Sequence, residues 1–357
     1  MNEWKTVRLG DYITEYSVKN KSNEDIPVYS VTNTQGFCTE YFSKDVSSKD
    51  KSNYKIVPRG CFAYNPSRIN VGSVDWQRYE DRVIVSPLYN VFKVSPELEN
   101  QYLYYFLKSD IGHTLITSKA EGSVRDNLKI TMLAEFSIPL PPLETQKLIA
   151  AQLDKCTALI AKHKQMLEKY DTLIKSRFIE MFGTDKDFSK WNCCCVEDVA
   201  DVTVGVVIKP TQYYCEKGIP AFRSLNIGEM KVNDSDWVYF TEEGNKKNKK
   251  SILKENDVLV VRSGAPGKSC VITKKYEGYN VVDAIIAHPN LEKVNPVFLC
   301  MFTNMPHGMN QIKAKTGGAA QQHFNVGGYN ALKMILPPLS LQNDFASFVQ
   351  QIDKSKF

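Results

Sequence analysis

The sequence predicts a mixed α/β (α+β) chain with two similar domains separated by a long coiled-coil helix, and a second, truncated helix at the C-terminus. Three observations predict this fold: an internal repeat, a heptad pattern between the two copies, and a Pro-Pro-Leu junction that occurs twice. With 357 residues, the chain is long enough for two domains that each bury a core.

An internal repeat relates residues that lie 196 positions apart, over nearly ninety residues. The paired positions are mostly apolar: Ile56 with Ile252, Phe62 with Val258, Tyr102 with Phe298, Leu103 with Leu299, Phe106 with Phe302 and Leu128 with Phe324. The same shift brings Pro141-Pro142-Leu143 onto Pro337-Pro338-Leu339 and Gln146 onto Gln342. Trp4 corresponds to Trp191 at a shorter distance, so we expect about nine extra residues in the second copy.

The sequence predicts the same order of elements for both copies. An opening Trp segment and a variable stretch precede an apolar strand, a short helix, a Gly-containing loop and a Pro-Pro turn into a helix. The strand is IVPRGCFAYN in the first copy and ILKENDVLVVR in the second, and the helix is QYLYYFLKS or VFLCMFTNM. The matched positions are mostly apolar residues, Gly or Pro, which a fold requires. The polar positions between them mostly differ between the two copies. One scaffold is therefore expected to present two different surfaces.

The segment from Glu144 to Phe182 contains no Pro or Gly and predicts one long helix. Glu144 suits the positive N-terminal end, and Gly183 stands where a helix would stop. Apolar residues alternate in steps of four and three, which predicts a seam for helix pairing. The helix-pairing residues are Ile149, Leu153, Ile160, Leu167, Tyr170 and Ile174, and the seam also includes Cys156, His163, Arg177 and Met181.

The residues after Pro338 continue the same rhythm and predict a second helix that pairs antiparallel with the first. Its pairing residues include Phe345 and Ile352, and the same rhythm also includes Leu341 and Phe348. About 18 residues remain after the Pro-Pro turn, so we expect a half-length pair that leaves part of the long helix exposed. An exposed apolar stripe is a surface on which another chain can dock. One such partner is a second copy of this chain, which would associate through the central helix.

Composition indicates a globular protein, with 43% hydrophobic and 24% charged residues. No apolar run approaches the roughly 18 residues of a membrane helix, and the first residues carry no signal-peptide core, so we expect a cytoplasmic protein without a membrane partner. The nine cysteines show no zinc-binding spacing, and we expect reduced thiols. The net charge of +5 permits a nucleic-acid partner without requiring one.

Catalytic motifs are absent, and neither a metal site nor a nucleophile is predicted. The segment Asn65-Pro66-Ser67-Arg68 is similar to the Asn-Pro-Pro-aromatic loop of adenine methyltransferases, which holds a flipped-out base. Ser67 and Arg68 occupy the wrong positions for that loop, and no Gly-rich cofactor loop precedes it. Two alternatives stay open beside the main interpretation: a self-sufficient DNA adenine methyltransferase and a purely structural coiled-coil scaffold.

The chain resembles the specificity subunit of Type I restriction-modification systems over essentially its whole length. The resemblance rests on three segments: FAYNPSRINVGS (62–73), GSVR (122–125) and IPLPPLETQKLIAAQL (138–153). That family alternates two target-recognition domains with two long helices. The resemblance divides this chain into target-recognition domain 1 (1–143), the spacer helix (144–183), target-recognition domain 2 (184–339) and the truncated C-terminal helix (340–357).

The resemblance implies a non-catalytic subunit in which each domain reads one half of a split double-stranded DNA target. The helices are expected to dock two adenine-methylating subunits, and restriction subunits to join them. No cofactor is expected on this chain, since S-adenosylmethionine and ATP would be bound by the partners. The spacer helix would set the unread gap, because about 39 residues at 1.5 Å each span roughly 58 Å, or about 17 base pairs.

Forked or planar donors at loop tips are the groups that read base edges, and lysines fix the register on phosphates. The loops of the first domain offer Arg68 and Asn70 beside a strand end, and Arg125 after Gly122. The matching loops of the second domain offer Arg262, Lys268, Gln321 and Gln322. These seven residues are the predicted DNA contacts.

Overall fold

The computed structural model describes residues 4–39, 50–120, 127–184, 186–316 and 323–356. The chain forms two compact units, Met1–His163 and Lys164–Phe357. No helix of the described ranges combines the length and the apolar character needed to cross a membrane. The domain limits given by the resemblance stay predictions.

The first unit is built around a four-stranded antiparallel sheet in the order β2-β9-β6-β7. Within the described residues, three two-stranded pairs accompany it, namely β1-β10, β3-β4 and β5-β8. Its strands are β1 (Lys5–Arg8), β2 (Ile13–Glu15), β3 (Ser30–Thr32), β4 (Gly36–Cys38), β5 (Lys55–Pro58), β6 (Phe62–Tyr64), β7 (Val74–Trp76), β8 (Arg82–Val85), β9 (Asn90–Val94) and β10 (Ser137–Leu140). Its helices are α1 (Asn100–Lys108), α2 (Asp110–Ala120) and α3 (Ile130–Leu133).

The long helix α4 (Leu143–Phe182) follows, and the second unit then repeats the first. Its strands are β11 (Cys193–Cys195), β12 (Ala200–Val204), β13 (Tyr214–Cys215), β14 (Ile219–Phe222), β15 (Val238–Phe240), β16 (Val258–Val261), β17 (Ser269–Val271), β18 (Asn280–Val281), β19 (Ala284–Pro289) and β20 (Lys333–Ile335). Its further helices are α5 (Glu242–Lys247), α6 (Pro296–Asn304), α7 (Pro306–Thr316), α8 (Val326–Asn330) and α9 (Leu339–Ser355).

The predicted repeat is confirmed by the topology. The sheet β12-β19-β16-β17 has the same order as β2-β9-β6-β7, and β11-β20 corresponds to β1-β10. The helices α6, α7, α8 and α9 begin 196 residues after α1, α2, α3 and α4. The second unit has its own four-stranded sheet, β13-β15-β14-β18, and its extra length lies between β12 and β16, where β13 to β15 and α5 are found.

The predicted strand IVPRGCFAYN is wrong for the first unit, because the structure divides it into β5 and β6. Gly60 lies between them with φ of +85°, a left-handed conformation that ends an extended run. β5 then pairs with β8, whereas β6 joins the main sheet. The apolar pattern alone does not reveal this break, since both strands are apolar.

Buried faces near its two ends attach α4 to the cores of the two units. Ala150 is buried and Ile149 packs against the core of the first unit. Residues 151–163 are exposed, including the predicted pairing residues Leu153 and Ile160. This exposed middle carries a stripe of apolar side chains, as the heptad pattern led us to expect.

In the second unit the buried face of α4 is Ile174, Phe178 and Phe182, at steps of four. The seam residues Arg177 and Met181 lie beside this face: Met181 is half-buried against the same core, and the Arg177 guanidinium lies 5.7 Å from the ring centroid of Phe348 on α9. A straight helix has 3.6 residues per turn and drifts from a seven-residue repeat, so the two large rings take the buried positions. Leu167 and Tyr170 are half-buried.

The helix α9 runs antiparallel to this end of α4. Phe345 is fully buried, and its ring centroid lies 5.4 Å from that of Phe178. Towards the end of α9, Ile352 is half-buried against the same core, and the Lys356 Nζ lies 3.1 Å from Asp171 Oδ1. Pairing of α9 with α4 therefore belongs to the core of the second unit.

Candidate nucleic-acid interface

In the first unit the predicted DNA contacts Arg68 and Asn70 lie on a tight turn after β6. The Ser67 amide donates to Asn65 Oδ1 at 3.1 Å, and the Arg68 amide donates to the Asn65 carbonyl at 3.0 Å. A short 3-10 turn then buries Ile69. Arg68 is left exposed and Asn70 half-buried on the outer side of the sheet end.

Lys108, at the end of α1, stabilises the same turn by hydrogen bonds to two backbone carbonyls. Its Nζ donates to the Gly72 carbonyl at 2.5 Å and to the Asn33 carbonyl at 3.0 Å. Burial lowers the pKa of Lys108, and the charge of Asp75 opposes that effect. Nothing in the repeat pointed to this lysine, because its carbonyl partners come from distant segments.

The chain after residue 126 returns to the turn and closes it. The Leu128 amide donates to the Pro66 carbonyl at 3.1 Å, and Ser67 Oγ donates to Asn127 Oδ1 at 2.5 Å. The Tyr64 hydroxyl donates to the Leu128 carbonyl at 3.0 Å. Burial raises the pKa of Tyr64, so this phenol stays a neutral donor.

The second unit repeats the closure with different side chains. The Phe324 amide donates to the Arg262 carbonyl at 2.9 Å, and Ser263 Oγ lies 2.8 Å from His323 Nδ1. The Arg262 guanidinium is held between His323 and Asp283, and its side chain is only 13% exposed. Lys268 is exposed on the turn between β16 and β17.

The structure brings Arg68 together with Asn70, and it places Arg262 and Lys268 at the equivalent strand end. Arg125, Gln321 and Gln322 lie outside the described residues. All seven assignments as DNA contacts stay predictions. The sequence reasoning missed Ser67 with Asn127 and Ser263 with His323, although the 196-residue shift aligns both pairs.

The contacts of Ser263 differ from those of a catalytic serine. Asp283 contacts Ser263 and Arg262 and does not contact His323, so the serine is not part of a Ser-His-Asp relay. Within the described ranges, no group of three or more His, Cys, Asp or Glu residues could hold a metal ion. What remains is a polar, partly basic surface at the end of a rigid sheet, which suits recognition.

The chain is similar over nearly its whole length to known proteins of one class. It is 23% identical over 379 residues to the Type I restriction enzyme MjaVIII specificity subunit of Methanocaldococcus jannaschii, which covers 98% of this chain and 86% of that protein. The fold is also found in solved structures.

One comes from a structure described as the structural basis of complex assembly and conformational transition of the type I R-M system. Its TM-score is 0.56 at 16% identity, and the match covers 100% of this chain and 91% of that chain. Another is a Type-I restriction-modification system S subunit from M. genitalium, with a TM-score of 0.55, 13% identity and coverage of 99% and 90%. At these identities the likeness establishes the fold.

The family model described as Type I restriction modification DNA specificity domain matches residues 1–169 and 189–357. Both matched segments contain one copy of the internal repeat, and together they cover nearly all of the chain. The chain therefore belongs to the Type I restriction-modification DNA specificity family, and its role is DNA sequence specificity.

Proposed function

We propose that each unit reads one half of a bipartite double-stranded DNA target, and that α4 sets the unread gap between the halves. The observation that carries this proposal is the duplicated strand-end turn. The same backbone closure presents Arg68 and Asn70 in the first unit and Arg262 and Lys268 in the second. Two different polar surfaces on one scaffold are what two different half-sites require.

The partners in this proposal are methyltransferase subunits, which dock on the helices, and restriction subunits. Support comes from the solved relative described in terms of complex assembly of the type I R-M system, and from the relative named as a restriction-enzyme specificity subunit. The exposed apolar residues in the middle of α4 give such partners a surface: Leu153, Leu159 and Ile160. Two methyltransferase subunits would match the two units.

The chain is proposed to be non-catalytic, with S-adenosylmethionine and ATP bound by the partners. The strand-end turn supports this because Ser67 and Arg68 stand where the methyltransferase loop has Pro and an aromatic ring. We place the proposed complex in the cytoplasm, where double-stranded DNA would be accessible to it.

The experiment is to produce the chain together with its cognate methyltransferase subunits in a host without other adenine methylation, and to map the methylated adenines. Two short conserved half-sites separated by an unread gap of constant length are expected. The chain without partners should neither bind S-adenosylmethionine nor methylate DNA. Methylation by the purified chain alone would instead establish a self-sufficient methyltransferase.

A structural scaffold is distinguished by DNA binding. The purified complex should bind its mapped target with an affinity that falls as salt rises, because phosphate contacts release counterions. A scaffold without a recognition role would leave the affinity of the methyltransferase subunits for DNA unchanged and would not discriminate the mapped target from a scrambled duplex.

A further inference from the structure

Three lysines of the second unit form a short basic ridge, which consists of Lys246, Lys249 and Lys250. Lys246 lies in the last turn of α5, and Lys249 and Lys250 lie in the 3-10 turn that follows this helix. All three residues are exposed. Lys247, which stands among them, is paired differently, because its Nζ lies 2.8 Å from Glu243 Oε1.

The charge of the basic ridge is not balanced by its surroundings. Within the described ranges, no carboxylate lies at ion-pairing distance from Lys246, Lys249 or Lys250. Like charges so close together in the chain repel one another, and an anion that lies against them removes this repulsion. The ridge therefore favours a partner with closely spaced negative charges.

Buried amide groups hold the basic ridge in place. Asn280 Nδ2 donates to Asn245 Oδ1 at 2.6 Å, and Ser251 Oγ donates to Asn280 Oδ1 at 2.7 Å. Asn245 belongs to α5, Ser251 ends the 3-10 turn, and all three side chains are buried. Because each of these buried polar groups has its hydrogen-bond partner, the lysines stand on a rigid base.

The same segment is joined to the strand end that carries Arg262. Asn280 begins β18, and Asp283 follows this strand with its Oδ1 at 3.3 Å from Arg262 Nη1. The Asp283 amide donates to the Val206 carbonyl at 3.2 Å. The basic ridge and the predicted DNA contact Arg262 are therefore parts of one hydrogen-bonded body.

A second connection runs through the chain after β12. This chain passes from Val206 to Tyr213, whose carbonyl accepts from the Thr241 amide at 2.9 Å. Thr241 is the N-cap of α5, since its side chain accepts from the Gly244 amide. The helix that carries Lys246 is thus fixed to the strand end from both sides.

The sequence of the first unit does not repeat the basic ridge. The 196-residue shift that pairs Ile56 with Ile252 places Asn53 and Tyr54 opposite Lys249 and Lys250. Neither of these side chains is a cation. The ridge is therefore one of the polar features in which the two copies differ.

We propose that Lys246, Lys249 and Lys250 form a phosphate-binding site, which holds the DNA backbone beside the half-site that the second unit reads. A lysine ammonium binds phosphate as a point charge, and such contacts position a duplex without reading its bases. The inference rests on the proposed function, since it takes the second unit to lie on double-stranded DNA. It assigns affinity that does not depend on sequence to α5 and the following turn, and leaves base reading to the strand end.

The test uses the full chain assembled with its methyltransferase subunits. Binding to the mapped target and to a scrambled duplex is measured between about 50 and 200 mM salt. For the triple variant Lys246→Gln, Lys249→Gln and Lys250→Gln, the slope of log K against log salt should be shallower by about 2.7, so that the variant loses about 40-fold less affinity over this range than the wild type. Both duplexes should show the same change, because their phosphates are the same, and discrimination between them should be unchanged.

The matched control is the triple variant Lys186→Gln, Lys333→Gln and Lys354→Gln, which changes the net charge equally at exposed lysines on other elements of the same unit. It should keep the wild-type slope. Arginine at the three positions of the basic ridge should also keep that slope, because it retains the charge.

An unchanged slope in the glutamine variant would make the basic ridge a solvated surface, and an equal change in the control would assign the effect to net charge. Either result would overturn the inference. So would a loss confined to the mapped target, which indicates base contacts, or a loss of assembly, which indicates a surface for the methyltransferase subunits. A wild type that binds both duplexes equally would overturn the proposed function, whereas the slopes on the scrambled duplex would still test the basic ridge.

Discussion

The buried side chain of Gln146 makes hydrogen bonds that recur at the equivalent position of the second unit. Its Oε1 accepts from the Glu99 amide at 2.8 Å, and its Nε2 donates to the carbonyls of Glu97 and Pro141. Gln342 makes the same three bonds with Asn295, Lys293 and Pro337. In the first unit Gln146 therefore joins the first turn of α4 to the N-terminus of α1. In the second unit Gln342 joins the first turn of α9 to the N-terminus of α6.

Gln146→Leu should lower the free energy of unfolding of the first unit by about 2–3 kcal/mol, because it leaves one buried amide and two carbonyls without their partner. Urea denaturation followed by circular dichroism measures the change. Gln165→Leu is the matched control on the same helix, where the side chain is exposed, and it should change stability by less than about 0.5 kcal/mol. Equal effects of the two substitutions would show that the buried bonds are not the cause.

Arg68→Ala should weaken binding to one half-site by about 1–3 kcal/mol, because Arg68 is exposed at the end of a turn fixed by Ile69 and Ser67. Competition binding with each half-site scrambled in turn measures this loss. Arg82→Ala is the control, since Arg82 is another exposed arginine of the first unit whose partner is Glu24. Equal loss on every sequence would instead make Arg68 a phosphate contact.

At the level of elements, the pairing of α9 with α4 depends on a small group of rings. Phe345 is buried between Phe178 and Phe182, with centroid distances of 5.4 Å and 5.8 Å. Phe345→Ala should therefore destabilise the second unit by about 3–5 kcal/mol through loss of buried area and the cavity left behind.

Thermal unfolding monitored by the near-ultraviolet signal of the aromatic residues reports this change. Gln350→Ala, on the exposed face of α9, should leave the transition within about 0.5 kcal/mol of the wild type. If Phe345→Ala had as small an effect as this control, α9 would not be part of the core of the second unit.

For the whole molecule, the exposed middle of α4 allows a test of the spacing proposal. Seven helix-forming residues inserted after Cys156 lengthen the helix by about 10.5 Å, or about 3 base pairs, and preserve its seam over two turns. The mapped target should keep both half-sites and gain an unread gap of about that size. Replacing residues 157, 158 and 161–163 by other helix formers, with Leu159 and Ile160 kept, should leave the gap unchanged. Retention of the original gap after the insertion would contradict a helix that sets the spacing.

The amino-acid sequence by itself determined the duplicated α/β scaffold, the long helix and the short final helix. These follow from periodic apolar residues and from Pro and Gly at fixed places, which act locally along the chain. The resemblance of short segments to one family also gave the class of function. The register of the repeat even aligned Gln146 with Gln342, whose hydrogen bonds then proved equivalent.

Only the tertiary structure decided which side chains meet. The break at Gly60, the shift of the buried face of α4 to Phe178 and Phe182, and the cluster of Arg262, Asp283 and His323 all depend on contacts between residues far apart in sequence. A pattern read along the chain records which residues are apolar or polar. It does not record which distant backbone carbonyl or carboxylate lies opposite a given side chain, and that geometry determines which groups hold a side chain such as that of Arg262.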